Sequence, residues 1–384
     1  MHYNVLIVDD MPVNRKLMKK VLEKSVEEVT FYEAEDGFEA MERLEKKEID
    51  LIILDLMMPG KDGYQVLREI KENENLKDIP VIVNSAVDDM ASIKETLGLG
   101  AIDYFTKPIT PDQMKIIIPL KVHNALKFFE QKKELQRANT RMMQEMKIAT
   151  ALQKTLITGK QELNNVRVTS KYIPSSQIGG DFHDCIENDE KVWFMIADVT
   201  GHGVAAAMVS SMVKVIFNHV VQESRSPKAV LQQINHTFYH MMGDNRHLCF
   251  SAFVGLIEKE RLTYANAGHP YPGLYRSRIG EVESLELNGF LIGVFDDTDY
   301  ADVSTEITPG DYIIAYTDGL YETRQDEGGS TNSHETVFEQ MKKHKKLIPQ
   351  NQDSFMKAMI QSFGKFEDGD FEDDVALMMI EVKS

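Results

Sequence analysis

The chain holds 384 residues, with 43 Lys and Arg against 61 Asp and Glu, a formal net charge of −18. At about 150 residues per domain, that length predicts two or three folded units. Hydrophobic residues at 42% and charged residues at 27% exclude wholesale disorder, and so acidic a surface repels phosphate backbones, so no nucleic-acid partner is expected. Two cysteines, Cys185 and Cys249, are too few for a disulfide framework, and no apolar run approaches about 20 residues. The expectation is a cytoplasmic protein in a reducing compartment, with no membrane association.

Residues 1–120 alternate short β-branched runs (Val5 to Val8, Leu51 to Leu54, Val81 to Val83) with amphipathic stretches such as Met18 to Leu22. That alternation predicts a parallel sheet covered on both faces, an α/β doubly wound domain of the flavodoxin-like type. Asp9 and Asp10 follow the first strand and Asp55 the third, so all three converge at the carboxyl edge of the sheet. Three carboxylates in one pocket repel one another unless a divalent cation intervenes, and all-oxygen ligation suits Mg²⁺. Asp55 is then placed to act as a carboxylate nucleophile forming an acyl phosphate. Ser85 after the fourth strand offers a hydroxyl to a phosphoryl oxygen, and Lys107 after the fifth offers a cation. Singly, an Asp after a strand is commonly a helix N-cap and a Lys-Pro step a turn; together the five positions specify a site.

Residues 121–160 are rich in Lys, Glu, Gln, Met and Ala, and the spacing predicts a long helix. Phe128, Leu135, Met142, Ala149 and Leu156 recur every seventh residue, but their partners Gln131, Ala138, Glu145 and Leu152 are half polar. The stretch is either a dimerising coiled coil or a single helix lying on a neighbouring domain.

Residues 161–384 mix strand-like pieces (Val192 to Ile196, Phe250 to Leu256, Tyr312 to Tyr316, Val375 to Ile380) with helix-like ones (Ala205 to Val221, Pro227 to Met242, Ser354 to Phe363), an α+β domain. Asp326 to Ser333 reads as an exposed loop; Trp193 and the methionines Met208, Met212, Met241 and Met242 read as core. Four acidic motifs abut strands: Gly179 to Asp184, Asp198 to Gly203, Thr317-Asp318-Gly319 and Asp373-Asp374. Any one Asp-Gly pair is usually a turn, yet four beside strands, without a cysteine cluster or P-loop, point to a binuclear hard-metal centre. Two Mg²⁺ or Mn²⁺ ions about 3.5–4 Å apart activate a water for attack on phosphorus without a protein nucleophile.

Two resemblances sharpen these readings. Val8-Asp9-Asp10, Leu54 to Gly63, Ser85-Ala86 and Tyr104 to Pro108 closely resemble the response-regulator receiver family over about the first 120 residues. The resemblance implies Asp55 as phosphoacceptor, one Mg²⁺ held by Asp9, Asp10, Asp55 and the Met57 carbonyl, Ser85 and Tyr104 as switch residues, Lys107 on the phosphate, and a cis Lys107-Pro108 bond. The four acidic motifs, with Asn266 to Pro270, Gly289 to Val294 and Pro309 to Asp311, resemble the PPM metal-dependent serine/threonine phosphatases, in the branch of bacterial sporulation and stress-response partner switching. That resemblance implies a β-sandwich flanked by helices, with catalytic aspartates Asp198, Asp318 and Asp373. Asp198 would bridge two Mn²⁺ or Mg²⁺ ions beside the Val199 carbonyl, Asp318 and Asp373 (or Asp374) would complete one ion, and Asp181 or Asp184 would hold the other directly or through water. His183 and His202 either assist near the metals or pack beside them. The implied protein is a response regulator whose output is dephosphorylation of phosphoserine or phosphothreonine on a STAS-type anti-sigma-factor antagonist. Its other expected partners are a histidine kinase or phosphotransfer protein and a second copy of the chain, a homodimer through the linker helix. The rival readings are a phosphatase-like module that only sequesters a partner, which complete metal motifs disfavour, and a transcription factor, which the charge disfavours.

Overall fold

Parallel strands buried on both faces need β-branched runs on either side of each helix, and the first part of the chain supplies them. The computed structural model describes residues 2–26, 28–85, 90–108, 110–156, 159–201, 203–243, 248–322, 333–363 and 371–383. The chain divides into two units, Met1–Met143 and Gln144–Ser384, so the 121–160 stretch is shared between them.

The first unit runs β1 (Tyr3–Val8), α1 (Pro12–Glu23), β2 (Val29–Ala34), α2 (Gly37–Lys46), β3 (Leu51–Asp55), α3 (Gly63–Glu72), β4 (Val81–Ser85), α4 (Met90–Gly98) and β5 (Asp103–Thr106), then a π-helical turn, Gln113–Ile117, leading into α5 (Ile118–Leu156). The sheet order is β2-β1-β3-β4-β5, all parallel. One face buries Leu6, Val8, Ile52 and Leu54 against Val66, Leu67 and Ile70 of α3; the other buries Val5, Ile7, Leu51 and Ile53 against Met18 and Leu22 of α1 and Ile118 and Val122 of α5. The register sets Val8 beside Leu54, so Asp9 and Asp55 leave the sheet at the same edge.

The second unit contains β6 (Gln161–Leu163), β7 (Val166–Ile173), β8 (Phe182–Asn188), β9 (Lys191–Val199), α6 (Val204–Val220), α7 (Pro227–Met242), β10 (Phe250–Glu258), β11 (Arg261–Ala267), β12 (Gly273–Arg276), β13 (Glu281–Ser284), β14 (Val303–Glu306), β15 (Tyr312–Tyr316), α8 (His334–His344), α9 (Gln352–Phe363) and β16 (Val375–Val382). They form two antiparallel sheets, β14-β11-β10-β9-β8 and β13-β12-β15-β16-β7-β6. Alternate residues of each strand divide between two cores, as the two-residue period requires. Phe194, Ile196, Phe253, Ile313, Ala376 and Met378 fill the space between the sheets. Trp193, Met195 and Ala197 face α6 and α7, while Ile314, Tyr316, Leu377 and Met379 face α8 and α9. The result is a two-sheet sandwich flanked by helices, four layers in all.

Trp193 is fully buried, as expected, but Met208 (63% exposed) and Met241 (52%) lie outside the core. The buried stripe of α6 runs through Ala206, Val209, Val213, Phe217 and Val220, and Met208 falls off it. Cys185 and Cys249 are free thiols. No helix among the described residues is long and apolar enough to cross a membrane. Most of the loop expected at Asp326 to Ser333, and His202, lie outside the described residues.

Candidate functional site: two carboxylate clusters

Asp9, Asp10 and Asp55 offer carboxylate oxygens all within 4.8 Å of one another. Lys107, from the end of β5, reaches in and donates to Asp55 Oδ2 at 2.6 Å and to Asp9 Oδ2 at 2.9 Å. Burial pushes the Asp55 carboxyl up, Lys107 opposes the shift, and the nearby Asp9 adds to it. Burial disfavours the Lys107 cation, but its hydrogen bonds to Asp55 and Asp9 outweigh it and hold its pKa above the usual lysine range. The Lys107-Pro108 peptide is cis.

Asn14 Nδ2 donates to both oxygens of Asp9, at 3.0 and 3.2 Å, and Arg15 Nη1 donates to the Asp9 carbonyl at 2.7 Å. Neither residue stood out in the sequence, because both sit inside the polar pattern of an ordinary helix. The Met57 amide donates to Asp55 Oδ1 at 3.3 Å, while its side chain is exposed. Tyr104, half-buried, lies with its ring centroid 5.2 Å from Lys121 Nζ. Ser85 ends β4, paired with Thr106; its side chain lies outside the described residues.

The second cluster forms where the two sheets of the sandwich meet. Phe182 pairs with Ala197, so one step further Asp181 stands opposite Asp198, both on the parity that points between the sheets. Asp318 leaves β15 and Asp373 enters β16 from the facing sheet. Asp198 is within hydrogen-bonding reach of Asp181 on one side and Asp318 on the other, and it also feels the charges of Asp373 and Asp374. Burial and this mutual repulsion push the carboxyls of Asp181 and Asp198 up, that of Asp318 to about 7.

Asp184 lies elsewhere. It has the parity of Phe182, faces α6, and accepts from Lys214 Nζ at 2.9 Å and Asn218 Nδ2 at 3.2 Å. Of the two alternatives left open by the sequence, Asp181 stands in the cluster, and Asp184 is held in an ion pair on the helix-facing side. Asp374 is likewise committed: it accepts from the amide and hydroxyl of Ser175 at 2.8 and 3.0 Å and from the Gly180 amide at 2.6 Å. It shapes the loop that carries Asp181.

This loop shows why glycines flank the aspartates. A Cβ on Gly179 would lie 2.1 Å from Asp374 Oδ2, and one on Gly319 would lie 2.0 Å from the Asp374 carbonyl oxygen. Gly180 sits beside the Val199 carbonyl oxygen, 3.0 Å from where its Cβ would be. His183 is 1% exposed.

Two further residues hold the loop of Asp181 through contacts that the sequence does not specify. Thr317 donates to Asp181 Oδ2 at 2.7 Å and accepts from the Ala376 amide at 2.8 Å. Gln153, on the last turns of α5, donates to the Gly179 carbonyl at 2.6 Å and accepts from the Gly179 amide at 3.3 Å. Gln153 lies one residue past Leu152 of the heptad series, and its spacing alone does not specify such a clamp.

Asp181 Oδ1 is buried and receives no hydrogen bond. Among the described residues no Lys or Arg pairs with Asp181, Asp198 or Asp318. An oxygen-only donor set with an orphaned carboxylate oxygen and uncompensated repulsion fits divalent cations such as Mg²⁺ or Mn²⁺. The neighbouring cleft, about 320 Å³, is lined by Asn266, Gly268, His269, Asn288, Gly289 and Asp318.

Residues 188–383 match the family model described as Stage II sporulation protein E (SpoIIE), and residues 5–118 match the response regulator receiver domain. The first match covers half the chain. This chain belongs to the SpoIIE family. As a SpoIIE-family member it joins a receiver domain to a protein serine/threonine phosphatase domain of the PPM type. It is 28% identical over 247 residues to the phosphoserine phosphatase RsbU of Bacillus subtilis, covering 62% of this chain and 70% of RsbU. It is also 28% identical over 181 residues to the phosphoserine phosphatase RsbP of the same organism, covering 46% of this chain and 45% of RsbP, less than half of that relative's length. The fold is similar to the SiaA-PP2C domain of Pseudomonas aeruginosa, with a TM-score of 0.52, 18% identity, and coverage of 64% of this chain and 99% of that one.

Proposed function

We propose that the protein is a two-component response regulator whose output is hydrolysis of phosphoserine or phosphothreonine on a partner protein, gated by phosphorylation of Asp55. The observation that carries the gating is α5. Its first turns bury Ile118, Val122, Ala125 and Leu126 in the core of the receiver unit, and its last turns place Gln153 on Gly179, two residues from Asp181. One unbroken helix therefore ends on the loop of the metal cluster. Phosphorylation shifts the enzyme only if the phosphoryl group interacts differently with two states of the receiver, and the Lys107 bridge between Asp9 and Asp55 is the contact it would rearrange.

In the phosphatase domain Asp198 would hold both cations, Asp318 and Asp373 one, and Asp181 the other, with the Val199 carbonyl alongside. When bound, the two ions supply charge neutralisation and activation of water. The chain's own residues fix the donors: Thr317 and the Gly179 clamp orient Asp181, and Asp374 sets the loop behind it. In the receiver Asp9, Asp10, Asp55 and the Met57 carbonyl would hold one Mg²⁺. A histidine kinase or phosphotransfer protein supplies the phosphoryl group, and the substrate is a phosphorylated STAS-type anti-sigma-factor antagonist in the cytoplasm. Phe128, Leu135 and Met142, spaced by sevens, are 65%, 62% and 62% exposed, a seam suited to a homodimer through the helix.

The test is release of phosphate from phosphorylated STAS proteins with and without acetyl phosphate. A response in the wild type that is absent in Asp55→Asn supports the reading; an equal response in both removes receiver gating.

A further inference from the structure

We propose that His236, His240 and Asp296 form a zinc site on the outer helix of the phosphatase domain, separate from its aspartate cluster. His236 and His240 are one turn apart on α7, so both imidazoles project from the same face, with ring centroids 4.5 Å apart. Asp296 spans them: Oδ1 lies 3.1 Å from His236 Nδ1 and Oδ2 lies 3.1 Å from His240 Nε2. One ligand atom from each residue can be chosen so that all three lie within 4.8 Å of one another. With zinc bonds of about 2.0–2.1 Å, tetrahedral ligand atoms stand about 3.3 Å apart, so the three need close in by no more than about 1.5 Å.

The carboxylate is also held in place from behind. Asn235, 1% exposed, donates from Nδ2 to the carbonyls of Phe295 and Asp296, both at 2.8 Å, and accepts from the Gly293 amide at 2.9 Å. This buried amide ties the 293–296 backbone to α7, so Asp296 is presented to the histidines by a fixed frame. The imidazoles are 60% and 57% exposed, which leaves the fourth position to water.

Two imidazoles and one carboxylate favour Zn²⁺, whereas the all-carboxylate cluster favours Mg²⁺ or Mn²⁺, so one chain sorts two kinds of ion by donor chemistry. Zinc would pin to α7 a loop whose earlier residues, Asn288 and Gly289, line the catalytic cleft.

The experiment titrates Zn²⁺ into the full chain in excess Mg²⁺ by calorimetry, with His240→Ala and Asp296→Asn in parallel. The wild type should take up one zinc equivalent, weakened roughly tenfold or more in each variant. Zinc at a hundredfold excess over its Kd should raise the melting temperature of the phosphatase unit by roughly 5–10 °C in the wild type only. Co²⁺ in place of zinc should give the visible absorption of a four-coordinate ion. No zinc equivalent in the wild type, unchanged affinity in both variants, or a six-coordinate Co²⁺ spectrum in the wild type would each overturn the site. The wild-type cobalt spectrum decides the matter even if a variant melts early.

Discussion

The receiver cluster and the phosphatase cluster are both built from aspartates at strand ends, yet they answer the same electrostatic problem in opposite ways. In the receiver, Lys107 lies 2.6 and 2.9 Å from two of the carboxylates and neutralises them from within the chain. In the phosphatase domain, among the described residues, no lysine or arginine pairs with Asp181, Asp198 or Asp318; Asp181 takes a threonine hydroxyl on Oδ2 and has no donor on Oδ1. An internal cation makes a cluster stable but displaceable, which suits a transient phosphoryl group. A cluster without one is repulsive until cations arrive, which suits a resident metal pair.

That contrast is easiest to break at Asp198. Asp198→Asn should lower hydrolysis of p-nitrophenyl phosphate in Mn²⁺ by roughly 10³-fold or more, because it removes the one carboxylate that reaches both neighbours; near-normal turnover would dissolve the metal assignment. Gln153→Ala should raise the Mn²⁺ concentration needed for half-maximal activity by roughly 10–100-fold, since the Gly179 clamp orients the loop of Asp181. A metal titration followed by initial rates checks it. Removing metal with a chelator should lower the melting temperature of the phosphatase unit more than that of the receiver, because Lys107 already offsets part of the receiver's carboxylate repulsion from within the chain; calorimetry resolves the two. The smallest effect is expected from Asp184→Asn, with turnover within about twofold and a loss near 1 kcal/mol from the Lys214 pair. A large loss of turnover there would return Asp184 to the metal site.

Much of the fold was legible because its signals are local. The runs at Val5, Leu51 and Val81 became β1, β3 and β4, and Pro227 to Met242 became α7 residue for residue, with Pro227 at its first turn and Ser226 as its cap. The short strands β12, β13 and β14 were not read, since four-residue stretches such as Val303–Glu306 carry too little periodicity. Within the site, the aspartates announced themselves by their glycine-rich turns, whereas the clamping roles of Thr317 and Gln153 did not, because a hydroxyl or amide acquires its role only from what packs against it.

The choice between Asp181 and Asp184 marks the boundary. Sequence alone determined that carboxylates cluster at strand ends and that a long helix follows the first domain, because residue type and spacing act over a few neighbours. Only the tertiary structure decided which aspartates share a pocket: strand pairing sends alternate residues to opposite faces, so a shift of three positions exchanges the space between the sheets for the flank of α6, and that parity is set by partners far away in the chain.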